Sequence, residues 1–413
     1  MPQAPETIAL RARYLFPVDS PVIAGGVITI ERGRIAAVGE NTSGRPPRDL
    51  GSAAILPGLV NAHTHLEFSD LERPLGKPGT PLPEWIAEVI QHRRGRNGDT
   101  QQAIADGLQE SLSFGTTVLG EIATSAPSIY PPLANFPRLV AFRELIGLSQ
   151  DRIDPNVELA RQHLEQLTRD DCRLPGLSPH APYTVHPRLL ERVVDLSSRQ
   201  HVPVAMHLAE SREEIQLLRD GAGPLRDLLI DLNAWDPSAI PPGTRPLDYL
   251  RRLAKASRAI IIHGNYLDDQ EIAYLADHNK HMAVVYCPRT HEYFQHAPYR
   301  LEEMRKAGVT VALGTDSRAS NPDLSLLAEM RAVRRRHPQV SSEDVFRMGT
   351  LWGAKSLGLS ANVGSLQVGK AADLTVVTLP DEAGDPYELL WDERSAARET
   401  WIGGRVVFAT ERP

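Results

Sequence analysis

The sequence predicts an α/β chain: a (β/α)8 TIM barrel with a small β-sandwich domain formed by both termini. Three observations predict it. First, eight short and largely apolar runs recur through the middle of the chain, at ILPGLVNAHTH, TTVLGEI, RLVAFRE, LPGLSPH, VPVAMHL, AIIIHG, MAVVYCP and VTVALGTD. Second, helix-like stretches such as PEWIAEVIQHRR, VELARQHLEQLTRD, HPRLLERVVDLSSRQ, DDQEIAYLADH and LEEMRKAG separate them. Eight βα units over about 250 residues fit a closed parallel barrel. No G-x-G-x-x-G follows an early strand, as a doubly wound dinucleotide fold would require. Third, both ends read as short strands and turns.

In chain order, TIALRARYLF and VITIERGRIAAVGE gather β-formers around Gly25-Gly26 and Gly33. NTSGRPPRDLGS is a loop, because Pro46 and Pro47 fit neither helix nor central strand. After the barrel, GSLQVGKAADLTVVTL and RETWIGGRVVF repeat the strand-and-turn character, with Gly364, Gly369 and Gly403-Gly404 as punctuation. The expected division is residues 1–56 and 361–413 for the sandwich and 57–360 for the barrel. Residues 219–257 form a Pro-rich insertion, expected to be a substrate lid or an oligomer contact, the latter in a homodimer.

The charge balance of 45 Lys and Arg against 52 Asp and Glu lacks the basic excess of a nucleic-acid binder. The paired H-x-E and P-C-x-x-C signature of zinc nucleobase deaminases does not occur. The apolar runs are far shorter than a bilayer span, so no membrane partner is expected. MPQAPETIALRARYLF lacks the basic-then-apolar layout of a signal peptide. Two cysteines, Cys172 and Cys287, make no disulfide framework, so the expected location is cytoplasmic.

The chemistry gathers at strand ends. His63 and His65 flank Thr64, and alternate residues of a strand point to one side. His207 closes the fifth run and Asp316 follows the eighth. An isolated H-x-H is weak, but four donors at the ends of strands one, five and eight suit one divalent metal, with zinc expected and iron the alternative. Glu210, three residues past His207, is placed to move a proton between water and a leaving group; the plainer reading is a carboxylate at a helix start. His263 ends strand six and His180 strand four. With no bridging carboxylate in view, a single metal is expected, with His263 polarising the nucleophile and His180 touching substrate. Arg143 and Glu144 after strand three, and Arg289, Thr290 and His291 after strand seven, lie at the same rim; Arg143, Arg289 and His291 are candidates for substrate binding. The remaining histidines, among them His92, His163, His201, His278 and His337, are expected at the surface, as is the basic run RAVRRRH at 331–337.

PGLVNAHTHLEFS, SPHAPYT, MHLAES, HGNYLDDQEI, ALGTDSRASN and the tail GTLWGAKSLGLSANVGSLQVGKAADLTVV together resemble the amidohydrolase superfamily, in its hydrolytic deaminase and chlorohydrolase branch. The resemblance spans nearly the whole chain. It implies a barrel with a two-terminus sandwich and one zinc or iron held by His63, His65, His207 and Asp316. It also implies hydrolytic attack on an amidine-like ring carbon, with Asp316 accepting a proton, His263 orienting the nucleophile and Glu210 protonating the ring nitrogen. HTHLEFS and PLPEWI resemble deaminases of adenine nucleosides altered at the 5′ position. Glu67 and Ser69 are similar to aminodeoxyfutalosine deaminases of menaquinone biosynthesis, with methylthioadenosine and S-adenosylhomocysteine deaminases as neighbours. CPRTHEYF departs from the Cys-Pro-x-Ser-Asn of related deaminases and changes the pocket wall. An arginine, Arg289 or Arg143, would suit an aryl carboxylate on the substrate. The competing readings are a chlorohydrolase of a triazine-like ring, which needs no proton for its leaving group, and a non-catalytic barrel scaffold, which would hold no metal.

Overall fold

The computed structural model describes residues 7–39, 46–95, 99–126, 129–131, 135–167 and 172–410. Its centre is an eight-stranded parallel sheet of β1 (Leu59–Thr64), β2 (Thr116–Ala123), β3 (Arg138–Leu145), β4 (Arg173–Pro179), β5 (Pro203–Leu208), β6 (Arg258–His263), β7 (Met282–Tyr286) and β8 (Val311–Leu313). Each strand pairs with the next. The ring closes just past β8, where Thr64 bridges Asp316 and the amides of Thr315 and Asp316 both donate to the His63 carbonyl at 3.1 Å.

These segments become strands because both of their faces are covered, which is why they read as unbroken apolar runs. Val60, Val118, Phe142, Ala205, Ile262 and Val285 fill the barrel interior. The alternate residues, among them Leu177, Val204, Ile261, Val284 and Val311, pack outward under the helices. Those helices start where the chain supplies caps. His186 accepts from the Arg188 amide ahead of Pro187–Gln200, and Asp268 and Glu271 form a reciprocal capping box at Asp269–Asp277.

The termini build the second layer as expected. One sheet runs in the order 405–409, 396–402, 374–378, 53–57, 14–15, 23–24. Ala53–Pro57 pairs antiparallel with Leu374–Thr378, so both ends of the chain share one ladder. A four-stranded sheet of 34–39, 27–31, 7–11 and 48–49 faces it across Leu10, Ile28, Ile30, Ile55, Leu374 and Trp401.

Four surface expectations fail, the first at His186, which is buried as the cap of Pro187–Gln200. His163 is buried, its Nε2 meeting the Ala141 carbonyl at 2.9 Å, because 156, 157, 160 and 163 form one face of Ile153–Gln166. His337 is buried where helix Leu326–Arg336 ends. Arg331 in the basic run turns inward and gives its N–H groups to the carbonyls of Trp391, Asp392 and Ser395. The 219–257 insertion divides. Pro246–Leu253 packs against Pro187–Gln200 and Asp269–Asp277 as an ordinary outer helix, whereas Pro224–Asp231 reaches Leu82–Gly95 of the β1 loop. No helix among the described residues is long and apolar enough to cross a membrane.

Candidate metal centre and active site

The donors predicted from strand ends converge at the C-terminal mouth, where barrel sites lie. Ligand atoms of His63, His65 and His207 lie within 4.8 Å of one another, and so do those of His63, His263 and Asp316. His63 Nε2 is 3.5 Å and His65 Nε2 3.7 Å from Asp316 Oδ1. Two donors each about 2.1 Å from one ion at a tetrahedral angle stand about 3.4 Å apart, so these spacings match the edges of a coordination polyhedron. Hydrogen bonding does not account for the cluster. Both ring nitrogens of His63 and Nδ1 of His65 are buried with no such partner.

The protonation pattern agrees. Burial, followed by neighbouring imidazoles, holds His207 well below its ordinary value; burial and then His63 do the same to His65. Burial takes His263 down to about 3. Neutral imidazoles are what a cation requires. His207 Nδ1–H donates to the His180 carbonyl at 3.0 Å, which leaves Nε2 with its lone pair toward the cluster. Burial alone would raise the Asp316 carboxyl, but His63, His263 and His65 outweigh it and hold it well below the usual carboxylate range. Ser320 donates to Asp316 Oδ2 at 2.9 Å, leaving Oδ1 to the histidines. The residues present fit one divalent transition metal.

The local backbone is made for this convergence. Gly314 lets β8 approach β1: a Cβ there would come within 2.9 Å of the His63 Cβ and carbonyl oxygen. Ala209, His263 and Asp316 all take positive φ, at 54°, 69° and 54°. Non-glycine residues pay about 1–2 kcal/mol for that conformation, and specific bonds hold it. The Tyr299 hydroxyl donates to the His263 carbonyl at 2.9 Å, and Thr64 Oγ1 to that of Asp316 at 2.9 Å.

Glu210 stands with Oε1 3.4 Å from His263 Nε2. Burial first, then the charges of Asp316 and Glu214, push its carboxyl well above the ordinary value. The helix-start reading belongs to its neighbours: Ser211 caps Arg212–Asp220, accepting from the Glu214 amide. Glu214, in the first turn of that helix, accepts from the amides of Ala209 at 2.8 Å and Glu210 at 2.9 Å. Asn265 adds a bond to the Glu210 carbonyl at 2.8 Å. Glu214→Gln places an NH2 group against one of those N–H donors, and the expected loss is about 1–3 kcal/mol in urea unfolding. Burial raises the Glu214 carboxyl to about 7. Its contribution to stability is therefore fully present below about pH 4.5 and lost as pH rises through 7, a slope that Glu214→Gln should remove.

The outer candidates fare differently. His180 Nδ1 lies 2.7 Å from Thr184 Oγ1 and its Nε2 3.9 Å from Glu144. Glu67 is clasped by Arg93 at 2.6 Å, and that guanidinium lies over the Phe68 ring. Arg93 was missed because a last-turn arginine reads as ordinary helix-end charge; it is near enough to His65 and His180 to depress both. Arg143 follows the outward alternation of Leu139 and Ala141, toward Tyr130 and His163, and Glu144 takes the inward place. Arg289 is committed to Glu329 at 2.6 Å and Asp323 at 2.7 Å, so it has no fork left for a ligand carboxylate. His291 sits edge-on to Tyr286 and Tyr299 and lines a rim cleft of about 620 Å³ with Ser320.

The chain is 31% identical over 354 residues to the aminodeoxyfutalosine deaminase of Deinococcus radiodurans, covering 81% of each. It is 30% identical over 394 residues to the 5-methylthioadenosine/S-adenosylhomocysteine deaminase of Moorella thermoacetica, covering 90% of this chain and 86% of that one. A crystal structure of an adenosine deaminase from Xanthomonas campestris with bound zinc superposes with a TM-score of 0.78 at 25% identity, over 97% of this chain and 92% of that one. The amidohydrolase family profile matches residues 54–407, which include every strand of the barrel and every residue of the histidine–aspartate cluster, and the chain belongs to that family.

Proposed function

We propose that the protein is a metal-dependent hydrolytic deaminase that removes the amino group of an adenine-type nucleoside, with 6-aminodeoxyfutalosine the preferred substrate. The observation that carries the reading is Glu210, a buried and proton-holding carboxyl 3.4 Å from His263 beside the histidine–aspartate cluster. His63, His65, His207 and Asp316 would hold the metal, zinc by likeness to the Xanthomonas structure. Bound there, a divalent cation acidifies water and supplies a nucleophile at neutral pH.

The chain's own residues do the rest. Asp316 Oδ1 takes the proton that the attacking water gives up, while Ser320 keeps Oδ2 occupied. His263, whose ring nitrogen lies within 4.8 Å of the Asp316 carboxylate, orients that water. Glu210 gives its proton to the ring nitrogen, which makes the adjacent carbon electrophilic; Asp316 then passes the proton it took from water to the amino group, which leaves as ammonia, and Glu210 takes back the hydroxyl proton as the C=O bond forms. These donors meet charge that develops only during attack, so they accelerate the step rather than tighten ground-state binding.

Chloride needs no proton to leave, so the Glu210 placement favours amine release over dehalogenation. For a substrate bearing an aryl carboxylate, Arg93 is the candidate we favour among the described residues, since it spends one N–H on Glu67 whereas Arg289 is held by both Glu329 and Asp323 and Arg143 faces outward. The test is ammonia release from adenosine, methylthioadenosine, S-adenosylhomocysteine and 6-aminodeoxyfutalosine, with chloride release from a chlorotriazine alongside. The highest kcat/KM is expected on 6-aminodeoxyfutalosine. A preference for S-adenosylhomocysteine or methylthioadenosine would replace the substrate but keep the reaction, and chloride release without ammonia would remove both.

A further inference from the structure

We propose that Tyr299 is a positioning residue for the reaction, acting through the backbone of His263 to hold that imidazole between the histidine–aspartate cluster and Glu210. The inference rests on the deaminase reading above and adds to it a residue that works at one remove from the chemistry.

His263 ends β6, and its two sides are held differently. On the β5 side the ladder runs through it, with Leu208 paired to His263. On the β7 side the ladder stops one residue earlier, at Ile262 and Val285. There the Tyr299 hydroxyl bonds the His263 carbonyl at 2.9 Å, in place of a strand partner. His263 and Gly264 follow one another at φ 69° and 62°. That conformation is easy for glycine and costly for histidine, so His263 has to be held in it by its surroundings.

The donor is itself fixed. Tyr299 is buried, its ring stacks on that of Tyr286 at 3.8 Å and 9°, and His291 stands edge-on to it at 5.7 Å. The next residue, Arg300, gives an N–H to the Leu267 carbonyl at 3.2 Å and pairs with Asp269. Residues 299 and 300 thus grip the chain after β6 at both of its ends. That same stretch carries the proton donor, because Asn265 donates to the Glu210 carbonyl at 2.8 Å and the Tyr266 amide to that of Ala209 at 3.0 Å. A turn of the backbone at His263 swings its far nitrogen, which stands 3.4 Å from Glu210 and among the donors of His63 and Asp316. A misplacement of about 1 Å in such a group costs about 10²-fold in rate. The loss falls on the attack rather than on ground-state binding.

The experiment measures ammonia release by metal-loaded Tyr299→Phe, which keeps the ring and its stacking and removes only the hydroxyl. Arg300→Met, His263→Ala and the double variant of Tyr299→Phe with His263→Ala accompany it, on whichever nucleoside of the panel above the parent turns over fastest. Tyr299→Phe is expected to keep its metal and to lose about 10- to 100-fold in kcat, with KM changed by less than about twofold. Arg300→Met should lower the Tm and keep kcat, as a purely structural tether would. In the His263→Ala background the loss of the hydroxyl should lower kcat no further, because its effect runs through that ring. A crystal structure of Tyr299→Phe should show the His263 ring displaced from Glu210. Parental kcat in Tyr299→Phe, an equal loss in Arg300→Met, or a further loss on top of His263→Ala overturns the proposal. So does an unmoved His263 ring, whatever the activity. A parent chain that releases no ammonia removes the deaminase reading instead, and the ring position in Tyr299→Phe then decides the positioning role by itself.

Discussion

His207→Ala is expected to leave the chain folded but without its metal, at less than a tenth of an ion per chain, and to lower ammonia release by at least about 10³-fold. The side chain does two jobs at once. Its ring lies 5.0 Å from that of His63 and 5.5 Å from that of His65, completing a donor triangle. Its Nδ1–H also anchors the ring on the His180 carbonyl, which fixes the nitrogen left for the cation. Alanine removes the donor and one of the two bonds the His180 carbonyl accepts, the backbone amide of residue 207 remaining at 2.9 Å, at a cost of about 0.5–1.5 kcal/mol. A buried histidine elsewhere separates the two effects. His163→Ala strips a comparable bond from the Ala141 carbonyl, and it should lose stability while keeping the metal. Metal measured by mass spectrometry, with unfolding curves on both variants, makes the comparison. A His207→Ala chain that still held one ion would show that the cluster is not the binding centre.

The residues that form this cluster were readable because strands write their direction into sequence. A buried parallel strand must be apolar to its end, so the first polar residues after each run mark the rim, and His63, His65, His207, His263 and Asp316 all sit there. What could not be read was facing and pairing. Nothing in RLVAFRE tells whether Arg143 or Glu144 turns inward until the register of β3 is known; Phe142 inside the barrel then puts Glu144 inside and Arg143 out. Arg289 looked free because its partners, Glu329 and Asp323, come from a helix and loop some 40 residues on. His263 was read as an orienting group, and its donor atom in fact falls among those of His63 and Asp316, a closeness set by its positive φ rather than by spacing. His163 was within reach: Asn156, Val157, Ala160 and His163 carry the period of a buried helix face.

Glu210→Gln should keep about one metal per chain and lose about 10²- to 10⁴-fold in kcat, the usual span for removing a general acid. Glutamine matches the carboxyl in size and still accepts hydrogen bonds, and the loop that presents it is anchored through backbone atoms, by Glu214 and Asn265. The fold around the site is therefore expected to persist while the proton is lost. The pH dependence gives a second handle. Burial, then Asp316 and Glu214, raise the Glu210 carboxyl well above its ordinary value, so it holds its proton where a free glutamate would not. Activity that needs that proton is present below the raised value and falls as pH climbs through it; the variant, which has nothing to ionise there, should lack this alkaline limb. Stability of the variant should not fall, because replacing a buried ionisable group by a neutral one of equal size removes a desolvation cost at high pH. Retained turnover with an unchanged alkaline limb would assign the proton to another group, with Glu144, buried beside His180 and also raised by burial, the next residue to replace.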